Sequence, residues 1–473
     1  MHEQDHDEQH DYDFDLLVIG TGPAGQRAAV QAAKLHRRVG IVERTDDLGG
    51  VCINTGTIPS KTLREAAVYL SGYRERGFYG DSYAVKDAIT MADLLSRCKY
   101  VIQHEADVIR HQMRRNGIEV LNGTAHFTGA HAVQVEYARN RGGRAVTAAH
   151  IVIATGTTPN RPAEVAFDDK RILDSDGILQ LDRIPRSLAV VGAGVIGCEY
   201  ASTFATLGVR VTLIDARPRL LPFVDSEIVE TLEYHLRNQR VILRLGETVQ
   251  RIEMAEDCSV RMHTASGKQI PSECVLYCAG REGATSLLDL PAVELAADSR
   301  GRVTVNEFYQ TAVPYIYAVG DLTGFPSLAS TSMEQGRLAA CHAFGAPLSS
   351  TPDHFPYGIF TIPEISMVGK TEEELTAAGV PYEVGKALYK EIARGLIIGD
   401  TTGMLKLIFH MHTRELLGVH IIGEGAAELI HVGQAVLANR GTIDYFINTV
   451  FNYPTLAEAY KVAAFDGVNR LAV

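Results

Sequence analysis

The sequence predicts an α/β protein built from two Rossmann-like dinucleotide-binding folds followed by a C-terminal α+β domain. Three observations predict it. A strand, a Gly-x-Gly-x-x-Gly turn, a helix, a second strand and a terminal acid follow one another near the start; the same series returns in the middle of the chain; and the pattern changes after Pro352. A length of 473 residues allows two to four domains and ample core burial.

In the first series, the apolar run from Asp15 to Ile19 leads into Gly20-Thr-Gly22-Pro-Ala-Gly25, and an Ala-rich helix extends to about Leu35. The next strand, Val39 to Val42, ends at Glu43. The glycines permit a tight turn and close approach of a pyrophosphate, the helix N-terminus offers free N–H groups, and Glu43 can accept from ribose hydroxyls. Gly-rich turns alone are common, so specificity comes from the ordered set. In the second series, Leu188 to Val191 leads into Gly192-Ala-Gly194-Val-Ile-Gly197, then a helix from Cys198 to Ala205 and a strand from Val209 to Ile214 ending at Asp215. Two such folds imply two cofactors held together. Asp215 favours a free 2′-hydroxyl and repels a 2′-phosphate; Arg217 and Arg219 could clamp that phosphate or line a solvated basic turn.

Further strands join the two series. Ala145 to Ala154 leads into Thr155-Gly156, Val275 to Ala279 leads into Gly280-Arg281, and Tyr315 to Val319 leads into Gly320-Asp321. The expected organisation is a tail over 1–14, a first dinucleotide domain over 15–156 and 281–350, a second inserted over 157–280, and a third domain over 351–473. In the last, strands at Met404–Phe409 and Leu416–Ile422 precede a helix at Ala426–Leu437.

Composition excludes some classes. A net charge of -12 argues against a nucleic-acid partner, which needs a basic face. The acidic start, with His2, His6 and His10 among seven carboxylates, reads as a solvated disordered tail rather than a metal site. No secretory pattern and no run of about 18 apolar residues is visible, so a cytoplasmic chain without a membrane partner is expected. Cysteines 52, 98, 198, 258, 274, 278 and 341 are scattered, which suits reduced thiols. A period of two puts Cys274 and Cys278 on one strand face as packing residues, and no metal site is expected.

Four segments carry a specific resemblance: Gly49 to Ala66, which contains Cys52-Ile-Asn-Thr-Gly-Thr57-Ile-Pro-Ser-Lys61; Gly192 to Ser202; Ile362-Pro-Glu-Ile-Ser; and Phe451 to Ala464. The chain resembles the flavoprotein disulfide oxidoreductases with two dinucleotide sites, the family of lipoamide dehydrogenase, glutathione reductase and mercuric reductase, over nearly its whole length after the tail. The resemblance implies FAD in the first fold, NAD(H) or NADP(H) in the second, and a homodimer or higher homo-oligomer formed by a dimerisation role of the third domain. It places Glu43 on the adenosine ribose and Asp321 on the ribityl chain. Arg44, Gly50, Cys52, Thr155, Gly156, Gly280, Arg281 and Gly320 then line the cofactor sites, and Lys61 lies beside the flavin, paired with Glu199.

The chain departs from the family pattern twice. A redox disulfide needs two sulfurs, and Thr57 stands where the partner of Cys52 belongs. The C-terminal His-Pro-Thr of disulfide reductases is here Tyr453-Pro454-Thr455, with Glu458 retained. A tyrosine, with an ordinary pKa of about 10, does not exchange protons near neutrality as an imidazole does. Both parts of disulfide chemistry are therefore missing, which leaves Cys52 as a buried packing residue and directs the electrons elsewhere. The expected activity, shared with the members of the family most similar in these segments, is ping-pong hydride transfer between NADPH and NAD+, with Lys61, Glu199 and Thr57 at the reacting ring. Two alternatives are an NAD(P)H dehydrogenase serving quinones and a non-catalytic flavoprotein subunit. His431 is expected as a packed interface residue.

Overall fold

The computed structural model describes residues 11–80, 82–137, 142–255, 259–348 and 354–471. The chain divides into two compact units, one of Met1–Pro59, Cys98–Asn160 and Arg281–Thr351, the other of Ser60–Arg97, Arg161–Gly280 and Pro352–Val473.

In the first unit, parallel strands Glu119–Asn122, Val39–Glu43, Phe14–Ile19, Gly143–Ile153 and Ile316–Ala318 lie side by side in that order. Strand residues alternate between faces, so Leu16 and Val18 pack with the helix residues Ala28 and Ala32, while Leu17 and Ile19 pack with Phe127 and Val133 beneath. The lower half of Gly143–Ile153 also pairs antiparallel with Ala132–Glu136, which pairs with Thr124–Gly129. Helix Pro23–Lys34 packs on helix Ala329–Ala343. A Cβ at Gly336 would run into the carbonyl oxygen of Ala24, so a glycine sets their approach. The chain leaves this unit through Thr157–Pro159 and returns through Arg281–Gly283, and these two short strands pair antiparallel as a clasp.

The second unit holds another parallel sheet, in the order Ile242–Leu245, Arg210–Asp215, Ser187–Val191, Cys274–Tyr277, Ile172–Leu173. An antiparallel ribbon of Val249–Met254, Val260–Thr264 and Gln269–Ser272 accompanies it. The C-terminal part forms its own antiparallel sheet, ordered Tyr357–Ile359, Ile365–Gly369, Leu416–Ile422, Met404–His410, Tyr382–Leu388. Helices Ala426–Ala438 and Glu458–Leu471 cover it, with Leu407, Phe409, Ile430, Tyr460 and Ala463 in one core. This α+β part thus has its own sheet and core within the same compact unit as the second dinucleotide fold.

Two expectations change in detail. The tail is shorter at its inner end than 1–14, because Phe14 opens the first strand and the Asp13 carboxylate accepts from the N–H of Thr147 at 2.8 Å and its hydroxyl at 3.0 Å. Cys278 lies one residue beyond strand Cys274–Tyr277 and is half-buried, whereas Cys274 is buried and its thiol is pushed up to about 11 by burial. The histidines of the expected tail, Cys258 and Pro352 lie outside the described residues. Among the described residues, no helix is long and apolar enough to cross a membrane.

Candidate functional site

Each dinucleotide turn gives its three glycines three different duties. Gly20 and Gly192 hold φ of +108° and +109°, a conformation that side chains avoid, and each backs closely onto a neighbouring strand end. A Cβ on Gly25 or Gly197 would run into the carbonyl oxygen of Gly20 or Gly192, so these glycines let helix and strand pack. A Cβ on Gly22 or Gly194 would meet nothing within 4 Å. Packing therefore does not explain the middle glycine; an open approach to the helix N-terminus does, and that is what a pyrophosphate needs.

Around the first turn, Glu43 is buried at its strand end. Its carboxylate accepts from the Thr21 N–H at 3.2 Å, from the Thr21 hydroxyl, and from the N–H and hydroxyl of Thr45 at 3.2 and 3.3 Å. Thr21 also accepts from the Gly49 N–H at 2.9 Å, and a Cβ on Gly50 would stand 3.0 Å from the Gly22 Cα. The Gly49-Gly50 bend is thereby brought onto the glycine turn. Sequence reasoning missed Thr21, although a hydroxyl residue inside the turn was the available signal. Arg44 is exposed beside Glu43.

Beside the same turn, where a Cβ on Gly320 would stand 3.3 Å from the Ala24 side chain, Gly320 donates its N–H to the buried Gln335 at 2.7 Å. Burial pushes the Asp321 carboxyl above its usual range, opposed by the Arg281 guanidinium and a long contact from Ser332. Arg281 is itself held by the Thr157 hydroxyl and carbonyl at 2.9 and 2.8 Å. Gly156 has φ of +66° with open space at its Cβ position, and the Thr155 hydroxyl is buried with no hydrogen-bond partner among the described residues. An orphaned hydroxyl, a half-buried carboxyl and an open glycine fit a polar, hydroxyl-rich ligand such as FAD. Cys52 is half-buried against the sheet core rather than fully buried, because its short helix Gly50–Asn54 lies at the edge of that core. Thr57 is exposed at the first position of helix Thr57–Leu70, which carries Lys61 one turn later.

In the second unit, the Lys61 ammonium lies 2.6 Å from the Glu199 carboxylate. The other oxygen of Glu199 accepts from the Phe360 N–H at 2.9 Å, and the Phe360 ring stands 5.1 Å from the ammonium. Ser202 receives the Ile362 N–H at 3.1 Å, and Arg64 donates to the Thr361 carbonyl at 3.1 Å. The segment 360–362 is thus fixed between helices Thr57–Leu70 and Val195–Thr206. Phe360 gave no sign in the sequence, since its partners are remote along the chain. Gly280 has φ of +107° at the end of the sheet.

Asp215 is buried at its strand end, where the Ala193 N–H, from inside the second glycine turn, donates to it at 2.6 Å. Burial alone would raise this carboxyl, but the hydrogen bonds of Arg217 and Ala193 outweigh it and hold it below the usual carboxylate range. Arg217 donates through its backbone N–H at 2.8 Å, Nε at 2.9 Å and a terminal nitrogen at 2.6 Å. Arg219 faces elsewhere, donating to the Val224 carbonyl at 2.7 Å and lying 3.6 Å from Glu373. Burial pushes the thiol of Cys198 far up, away from thiolate chemistry. Tyr453 and His431 are exposed, and one oxygen of Glu458 is buried with no hydrogen-bond partner among the described residues. The carboxylate cluster Asp225, Glu227 and Glu372, the only group at metal-ligand spacing among the described residues, surrounds the Lys406 ammonium.

Comparison with known proteins agrees with this architecture. The family model described as pyridine nucleotide-disulphide oxidoreductase matches residues 14–336, and that family's dimerisation domain matches residues 355–464. The soluble pyridine nucleotide transhydrogenase of Mycobacterium tuberculosis (strain ATCC 25177 / H37Ra) is 53% identical over 97% of this chain and 98% of its own. That of Klebsiella pneumoniae is 47% identical over 98% and 99%. Among solved structures, LpdA from Mycobacterium tuberculosis superposes with a TM-score of 0.87 at 26% identity, covering 95% of this chain and 99% of its own. The HOCl-induced flavoprotein disulfide reductase RclA from Escherichia coli gives 0.86 at 28% identity, covering 95% and 99%. With both family models matched in order along the chain, the protein belongs to the pyridine nucleotide-disulphide oxidoreductase family.

Proposed function

We propose that the protein transfers hydride between NADPH and NAD+ by way of bound FAD, in two half-reactions at one nicotinamide site. The observation that carries this reading is near-full-length similarity, 53% over 97% of the chain, to relatives named soluble pyridine nucleotide transhydrogenase. The missing disulfide partner at Thr57 and the tyrosine at 453 agree with it, since hydride transfer uses neither. FAD, when bound, supplies a two-electron acceptor and donor.

The chain's own residues bind and orient. Gly22 and the helix behind it receive one pyrophosphate, Glu43 takes ribose hydroxyls, and Asp321, with Thr155 and Gly156, takes the polyol. Gly194 and Asp215 do the corresponding work for the nicotinamide nucleotide. Thr57 and Lys61 face the reacting ring from one helix, with Lys61 held in place by Glu199. No side chain has to move a proton, so alignment and exclusion of water carry the rate. A homodimer, or a larger homo-oligomer, fits the matched dimerisation domain, and a cytoplasmic location fits the scattered thiols.

The test is NADPH-dependent reduction of thio-NAD+ by the purified flavoprotein, run beside lipoamide, glutathione disulfide and a quinone. Rapid thio-NAD+ reduction with inert disulfides supports the reading. Fast quinone reduction without transfer between nucleotides overturns it.

A further inference from the structure

A site that serves both NAD(H) and NADP(H) meets opposite demands at one atom, the ribose 2′-oxygen. An acid at the strand end suits a 2′-hydroxyl and repels a 2′-phosphate. Resting on the transhydrogenase reading, we infer that Asp215 and Arg217 form an exchangeable ion pair by which one site accepts both nucleotides. With NAD(H), Arg217 stays on Asp215; with NADP(H), the guanidinium turns outward to the 2′-phosphate.

Four observations support the exchange. Asp215 accepts from the Ala193 N–H of the glycine turn, so the pair stands where an adenosine ribose would be held. The acid is covered and the base is accessible, with side chains 8% and 47% exposed. Arg217 spans both carboxylate oxygens, which masks the charge that would repel phosphate. The backbone N–H of Arg217 also donates to Asp215 at 2.8 Å, so the carboxylate keeps two main-chain donors, Ala193 and Arg217, after the side chain leaves. Movement of the guanidinium therefore does not strand a bare buried charge.

The structure also separates the two arginines that sequence reasoning treated alike. Arg219 is committed to the Val224 carbonyl and lies beside Glu373. Val224 precedes Asp225, whose carboxylate binds the buried Lys406, so Arg219 belongs to the anchor of this loop. Arg217 has the opposite situation: it projects from the exposed run Ala216-Arg217-Pro218 and can change partners. Arg217 is the specificity residue and Arg219 the positioning one.

The test uses the full-length flavoprotein and two probes, ADP and 2′,5′-ADP, titrated calorimetrically into the parent protein, Arg217→Gln, Asp215→Asn and the double variant. A charge-assisted contact to phosphate corresponds to about 10- to 100-fold in affinity. Arg217→Gln should weaken 2′,5′-ADP by that factor while changing ADP little. Because that variant uncovers Asp215, adding Asp215→Asn should restore part of the 2′,5′-ADP affinity, a non-additivity that a purely structural ion pair would not produce. Arg219→Gln should lower thermal stability and leave the ratio of the two affinities unchanged. Equal losses for both probes, or strictly additive effects, would overturn the exchange. Thio-NAD+ reduction by NADPH in the same parent preparation separates the two levels. Its absence sinks the transhydrogenase reading and the inference together, whereas its presence with an unaltered probe preference in Arg217→Gln sinks the inference alone.

Discussion

At the residue scale, the glycine turns separate packing from binding, and the two can be tested apart. Gly197→Ala places a methyl on the Gly192 carbonyl and should cost about 1–3 kcal/mol or more of stability. Gly194→Ala has open space and φ of -79°, so its melting temperature should stay near the parent's while NADH binding weakens. Melting curves beside NADH titrations check the pair; equal destabilisation by both would contradict the division of duties. If Lys61 serves the reacting ring as proposed, Lys61→Met removes a positioned charge there and should slow flavin bleaching by NADH about 100-fold in stopped flow. Its stability should fall less than a fully buried charge would imply, since the Lys61 side chain is 24% exposed. These glycines were legible in the sequence because each carries a fixed spacing from a strand end, whereas Lys61 and Glu199 were legible through the family resemblance of the segments that carry them. Phe360, which donates to Glu199 and stacks near Lys61, was not, because its place depends on tertiary approach of segments remote in sequence.

At the element scale, the strand and helix series of both dinucleotide folds was readable because parallel strands buried on two faces leave short apolar runs bounded by Gly and an acid. Strand Arg210–Asp215 and helix Ala426–Ala438 end within a residue or so of where pattern puts them. What pattern could not supply was the link from the nucleotide loop to the C-terminal sheet. Lys406, on strand Met404–His410, and Asp225, the N-cap of helix Ser226–Asn238, are each 0% exposed in their side chains and lie 2.9 Å apart. A lysine in an apolar strand gives no hint of its distant partner. Lys406→Met should destabilise the protein by about 3–5 kcal/mol, because it leaves a buried carboxylate without its counter-charge. Adding Asp225→Asn should recover much of that loss. Urea unfolding of the two single variants and the double variant measures the coupling, and strict additivity would show that the pair is not a unit.

At the scale of the whole molecule, acid sensitivity follows from three histidines, one in the first unit and two in the second. Burial holds His150, His235 and His420 below the usual imidazole range, with Asp15 and Asp400 opposing it at the first two and Asp225 and the Lys370 carbonyl opposing it at the third. The folded chain keeps them neutral, while the unfolded chain takes up protons near pH 6.5. Their contribution is therefore fully present above about pH 6.5 and is lost as pH falls toward the lowered folded values, by up to about 1.4 kcal/mol per pH unit for each proton. Urea midpoints should be flat from about pH 8 to 7 and decline below about 6.5; a flat profile down to about pH 5 would contradict this assignment. The clasp of Thr157–Pro159 with Arg281–Gly283 has a consequence of another kind. Both of its strands belong to the first unit, so the long stretch of chain between them begins and ends about 4.8 Å apart, the spacing of paired strands. For the first unit that stretch is a loop with its mouth already shut. Doubling the length of a closed loop adds only about 0.6 kcal/mol of closure entropy. The clasp is thus a graft point, where insertions of very different size could enter the first fold without redesign of its sheet.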